Sequence, residues 1–79
     1  MSGVSLATRL RSLRANKQWT QEQAAREIGT TVDNLALIEK GRRHPRLSTL
    51  SRIARAYGVG VEELISLEEE STVPLAAGL

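Results

Sequence analysis

The sequence predicts an all-α fold of five short helices around a small aliphatic core. Three observations carry this. Leu and Ile recur at helical spacing from Leu6 to Ile65, and nothing alternates long enough to read as a strand. Gly29, Gly41 and Gly58 each follow such a run, at the place where a helix ends in a left-handed residue. The chain has 79 residues with no Phe, one Trp and one Tyr, which gives one domain and a core of aliphatic side chains.

The first helix is expected from Val4 to about Ala15, with Leu6, Leu10 and Leu13 on one face and Arg9, Arg11 and Arg14 between them. Asn16 to Gln18 reads as a short connection that Trp19 closes. Thr20-Gln21-Glu22-Gln23 is a start signal: Thr20 accepts from the third backbone N–H and Gln23 reaches back to the cap. The second helix runs through Ala24, Ala25 and Ile28 and stops at Gly29. After Thr30 and Thr31, a third helix spans Val32 to Lys40, turning Leu35 and Ile38 inward, with Gly41 as its stop.

Pro45 discourages helix at its predecessor, so Arg42-Arg43-His44-Pro45-Arg46 is a basic loop. A fourth helix follows from Leu47 to Tyr57, expected to bury Leu47, Leu50, Ile53, Ala54 and Tyr57. Gly60 caps a fifth, carrying Val61, Leu64 and Ile65, with Glu62 and Glu63 in the first turn where the helix dipole favours them. The domain is expected to occupy residues 1–70. Ser71 to Leu79 reads as a tail, with Pro74 opposing any extension of the helix.

Composition narrows the function. Without Cys there is neither a disulfide framework nor a thiolate zinc site, and no cofactor is expected. His44 is the one histidine, sits in a loop and has no nucleophile beside it, so no enzyme is expected. No run approaches the roughly 20 apolar residues of a membrane span, and the first residues lack an apolar signal core, so the expected setting is the cytoplasm. With no metal or disulfide and only one Trp and one Tyr to support it, self-association is the support expected for so small a core.

The charge is unevenly distributed. The net charge is +2, yet residues 1–58 hold all eleven cations and only four of the acids, a body of +7, against −5 for residues 59–79. A basic body points to a polyanionic partner. The two helices around Gly29, joined by a Gly-containing turn, form a helix-turn-helix arrangement. In that arrangement one helix braces on the DNA backbone and the next lies in the groove.

The run from Trp19 to Thr31, then Leu35-Ala36-Leu37-Ile38-Glu39-Lys40-Gly41-Arg42-Arg43-His44-Pro45, resembles the lambdoid-repressor and Cro-like (XRE) helix-turn-helix family. The likeness continues through Leu50, Ile53-Ala54 and Tyr57-Gly58-Val59 to Glu63-Leu64, without a gap. It implies a DNA-binding transcriptional regulator, either a repressor or an autoregulator, that binds a palindromic operator as a homodimer. It places Gln21 on a phosphate and an ion pair between Arg14 and Glu39. By position in the third helix, Thr31, Val32, Asp33, Asn34, Leu37 and Lys40 would face base edges.

That helix departs from the family pattern. Many relatives offer Arg, Gln or Ser there, whereas Val32 and Leu37 make only apolar contacts, such as those with thymine methyls. Asp33 accepts from cytosine and Asn34 pairs with adenine. Arg42, Arg43 and Arg46, with Lys40 before them, compensate with a cation cluster suited to phosphates or a narrow minor groove. The competing reading is a protein-interaction module that keeps the fold and has lost DNA, which the donor-poor helix favours and the arginine cluster opposes. The expected dimer surface is Val59, Val61, Leu64, Ile65 and Leu67, and polymerase or a toxin-like chain is a compatible protein partner.

Overall fold

Helix boundaries fall where capping chemistry is available. In the computed structural model, which describes residues 5–72 and the side chains of 5–68, α1 spans Leu6–Lys17 and α2 Gln21–Ile28. They are followed by α3 at Val32–Glu39, α4 at Leu47–Tyr57 and α5 at Val61–Thr72. There is no strand among the described residues.

The start of α1 is Leu6 rather than Val4, because the Ser5 hydroxyl accepts from the Thr8 N–H at 3.2 Å. Its end is Lys17 rather than Ala15, because Gln18 takes a left-handed turn (φ 60°) and allows two more residues to wind. In α2 the capping box is complete: the Thr20 hydroxyl accepts from Gln23 N at 3.1 Å, and the Gln23 side-chain oxygen accepts from Thr20 N at 2.7 Å.

Four helices end in the same closure, an N–H donated to the carbonyl five residues back: Trp19 to Arg14, Thr30 to Ala25, Arg42 to Leu37 and Val59 to Ala54. At α3 a second bond, Gly41 N–H to the Ile38 carbonyl, completes a Schellman motif, and Gly41 has the required positive φ of 75°. The last two carbonyl groups concerned are thereby satisfied, and the basic loop leaves α3 in a fixed direction.

The core gathers Leu6, Leu10 and Leu13 of α1, Ala24, Ala25 and Ile28 of α2, Leu35 and Ile38 of α3, and Leu50, Ile53, Ala54 and Tyr57 of α4. Helix α4 lies at the centre, against α5, α2 and α1. Trp19 and Tyr57, the only aromatic side chains, meet with ring centroids 5.7 Å apart and cover one edge of the aliphatic core.

Three expectations are corrected. Leu47 is 62 % exposed, not buried. It is the first residue of α4 and stands one turn before Leu50, past the edge of the core. Leu64 is fully buried, at 0 % exposure, because α5 turns it into the core against α1 and α4. It is thus a residue of the monomer's own core and has no surface to give to a dimer. Ser71 and Thr72, expected in the tail, are the last residues of α5. The remainder of that tail, 73–79, lies outside the described residues.

Candidate nucleic-acid interface

Three helices are tied together by one carboxylate. Glu39 at the end of α3 is 2 % exposed and is the sole buried charged residue among the described ones. Arg14 of α1 grips it with two parallel donors, Nε to Oε2 at 2.8 Å and Nη2 to Oε1 at 3.0 Å. Gln21 of α2 adds Nε2 to Oε1 at 3.0 Å, and Arg14 Nη1 donates to the Trp19 carbonyl at 3.2 Å. Arg11 donates to the Glu39 carbonyl. The carboxylate is therefore paired and hydrogen-bonded, the condition under which a buried charge is tolerated. The hydrogen bond to Glu39 holds the Arg14 pKa above its ordinary value.

Tyr57 faces the same cluster without joining it. Its hydroxyl is buried with no hydrogen-bond partner among the described residues. Burial, reinforced by the nearby negative charge of Glu39, pushes its pKa up to about 12.

The turn between α2 and α3 is fixed from both sides. Gly29 has φ 88°, a conformation costly for any residue with a Cβ, and its carbonyl accepts from Arg52 Nη1 of α4 at 2.9 Å. On the far side the Thr31 hydroxyl caps α3 by accepting from Asn34 N at 3.0 Å. The angle between the two helices therefore rests on backbone geometry and on one arginine of a third helix.

At the first turn of α3 the polar atoms form a chain. Asn34 Nδ2 donates to Thr30 Oγ1 at 2.9 Å, and Asn34 Oδ1 accepts from Arg43 Nη1 at 2.7 Å. A guanidinium can only donate, so Arg43 dictates which way the amide points. A loop cation nine residues away is thus brought onto the start of the exposed helix.

The other expected contact residues are placed as follows. Asp33 in α3 and its caps Thr31 and Lys40 are exposed, while Val32 and Leu37 are half-buried, with Val32 packed on the core. Arg42, Arg43 and Arg46 are all exposed. Arg46 occupies the N-cap position of α4 and makes no side-chain cap bond, leaving the first N–H groups of that helix without side-chain capping. Gln21 is half-buried, with one amide N–H already given to Glu39. Val59, Val61, Ile65 and Leu67 are half-buried against the core.

Sequence reasoning missed several ties that position this surface. Arg52 holds the turn, and His44 Nδ1 lies 2.7 Å from Glu68 Oε2, joining the basic loop to α5. Arg9 of α1 reaches Glu63 of α5 at 2.7 Å. Each links residues far apart in sequence through side chains that look like ordinary surface charge, so no local signal announces them. Among the described residues there is no cluster of His, Cys, Asp and Glu able to hold a metal ion, and no helix is long and apolar enough to cross a membrane.

A short braced helix, a left-handed glycine turn and a second helix flanked by cations define a helical DNA-binding module. The family model described as a helix-turn-helix domain matches residues 5–67, and the chain belongs to that family. It is 32 % identical over 65 residues to an uncharacterized HTH-type transcriptional regulator of Archaeoglobus fulgidus, covering 82 % of this chain and 93 % of that one. It is 35 % identical over 63 residues to the cryptic phage CTXphi transcriptional repressor RstR of Vibrio cholerae, covering 80 % of this chain but only 57 % of the repressor. Among solved structures, the hypothetical transcription factor NHTF from Neisseria matches with a TM-score of 0.71 at 35 % identity, covering 76 % of this chain and 67 % of that one.

Proposed function

We propose that the protein is a transcriptional regulator that represses by occupying promoter DNA as a homodimer. The observation that carries this is the arrangement around α3: a helix held in place by the Arg14–Glu39–Gln21 network and flanked by Lys40, Arg42, Arg43 and Arg46. The likeness to RstR, a repressor by its name, supports the direction of control.

In this reading α3 enters the major groove with its N-terminal residues toward base edges, while Arg42 and Arg46 meet phosphates on either side. Asp33 is in position to accept from a cytosine amine, and Val32 and Leu37 offer apolar surface to thymine methyls. Lys40 extends the cation row along the backbone. Gln21, opening α2, gives its remaining N–H to a phosphate while its other bond stays on Glu39.

Two copies place their third helices in successive major grooves about 34 Å apart on a palindromic site. The surface proposed for pairing is the half-buried remainder of α5 and its lead-in, Val59, Val61, Ile65 and Leu67. Sedimentation equilibrium with and without a duplex selected by the protein tests this. A dimer on the duplex is expected, and a monomer at high concentration both free and bound would refute the pairing.

A further inference from the structure

We propose that Arg43 is the residue that reads a base, a guanine in the major groove, and that Asn34 is the positioning residue that aims it. The inference rests on the DNA-binding reading above and changes the division of labour within it. An asparagine that reads adenine needs both of its amide atoms, one to accept and one to donate. In Asn34 each already serves the protein, Oδ1 accepting from Arg43 at 2.7 Å and Nδ2 donating to Thr30 at 2.9 Å, which sets the plane of the amide and leaves one further site on each atom. The amide is therefore oriented by its neighbours, through a short, charge-assisted bond, rather than left free to align with a base edge.

Arg43 has the complementary properties. Among the described residues its one hydrogen bond is to Asn34, which uses one of five donors. It is exposed and lines an open basin at the start of α3 together with Asn34, His44, Pro45, Arg46 and Thr49. Guanine presents two acceptors on its major-groove edge, and the planar fork of arginine matches them with two parallel bonds.

An unrestrained loop arginine loses much rotamer freedom when it binds. Asn34 removes part of that loss beforehand by holding the guanidinium at the start of the helix that enters the groove. Thr31 and Thr30 fix Asn34 in turn, through its backbone N–H and its amide. The series Thr30–Asn34–Arg43 therefore transmits the geometry of the helix-turn-helix to a side chain on the loop behind it.

The test is selection from a randomised duplex pool by the full chain, with sequencing of the bound fraction, for the wild type, R43A, N34A, N34D and the R43A/N34A pair. Thermal melting by circular dichroism confirms that each is folded. The wild type is expected to enrich one guanine per half-site. R43A and N34A should each lose that preference by about tenfold or more, at the same position and with no further loss in the pair. N34D keeps the acceptor for Arg43, so it should retain the guanine preference while binding every sequence more weakly. Equal weakening of all sequences by R43A, with the guanine retained, would overturn the proposal and leave Arg43 a phosphate contact. A lost adenine at a different position in N34A, additive with R43A, would overturn it by making Asn34 the reader. No enrichment by the wild type would instead remove sequence-specific DNA binding, and the proposal with it.

Discussion

Arg14 closes on Glu39 with two donors although the two residues lie 25 positions apart and only the carboxylate is deeply buried. The side chain of Arg14 keeps 23 % of its surface accessible against 2 % for Glu39. That asymmetry makes the two partners unequal. Removing Arg14 strands a buried anion with Gln21 as its main remaining side-chain donor, whereas neutralising Glu39 leaves a cation that water can reach. R14A is therefore expected to lose about 3–5 kcal/mol of stability, and E39Q about 1–3 kcal/mol. Urea denaturation of both variants checks the order, and a larger loss for E39Q would contradict it.

Tyr57 supplies a test at alkaline pH. Its folded-state pKa is raised from 10.0 to about 12, first by burial and then by Glu39. Between these values the unfolded chain has lost the phenolic proton and the folded chain still holds it, so stability falls as pH rises through the window. Below pH 10 the contribution is fully present. Y57F has no such proton, so the wild type should lose stability relative to Y57F from pH 10 to 12. At neutral pH, Y57F should be as stable as the wild type or more so, because the buried hydroxyl makes no hydrogen bond to any described residue. Denaturation of both proteins across that range measures the difference, and parallel curves would contradict it.

Arg46 sets stability against binding. It holds the backbone of an N-cap, with φ −70° and ψ 162°, yet provides no cap hydrogen bond to α4. R46S places a hydroxyl where it can accept from the free N–H groups and should gain about 1 kcal/mol. It should also bind DNA more weakly on every sequence, since a phosphate contact is lost. A melting curve and an anisotropy titration on the same variant read both effects, and a variant no more stable than the wild type would show that α4 needs no cap.

The cation cluster predicts a salt dependence. With Arg43 on a base, Lys40, Arg42 and Arg46 neutralise about three phosphates per subunit, so a dimer covers about six and log K falls against log salt with a slope near −5. R42A removes one contact per subunit and should make the slope shallower by about 2. Anisotropy titrations over a range of salt concentrations give both slopes. An unchanged slope for R42A would place that side chain off the backbone.

The start of α2 could be read in the sequence because its chemistry is local: Thr20 and Gln23 are three residues apart and complete each other's bonds. The same holds for Gly29 and Gly41, whose positive φ values answer a steric need that glycine meets best. The Arg14–Glu39 pair needed the family likeness, since nothing local connects α1 to α3. Leu47 and Leu64 were misplaced for a common reason. Helical periodicity gives the face on which a side chain lies, but not how far along the helix the core extends. The hold of Arg52 on the turn and of Asn34 on Arg43 depended on the paths of α4 and the basic loop, which only the assembled fold defines.

The reading that α3 and the basic loop form the DNA surface is tested most directly by backbone amide shifts of the labelled full chain during titration with a selected duplex. Perturbations should concentrate on residues 31–37 and 40–46, with a smaller set at Gln21. Perturbations confined to α5, or none at salt concentrations where binding should be tight, would contradict it and favour a protein-interaction module on the same fold.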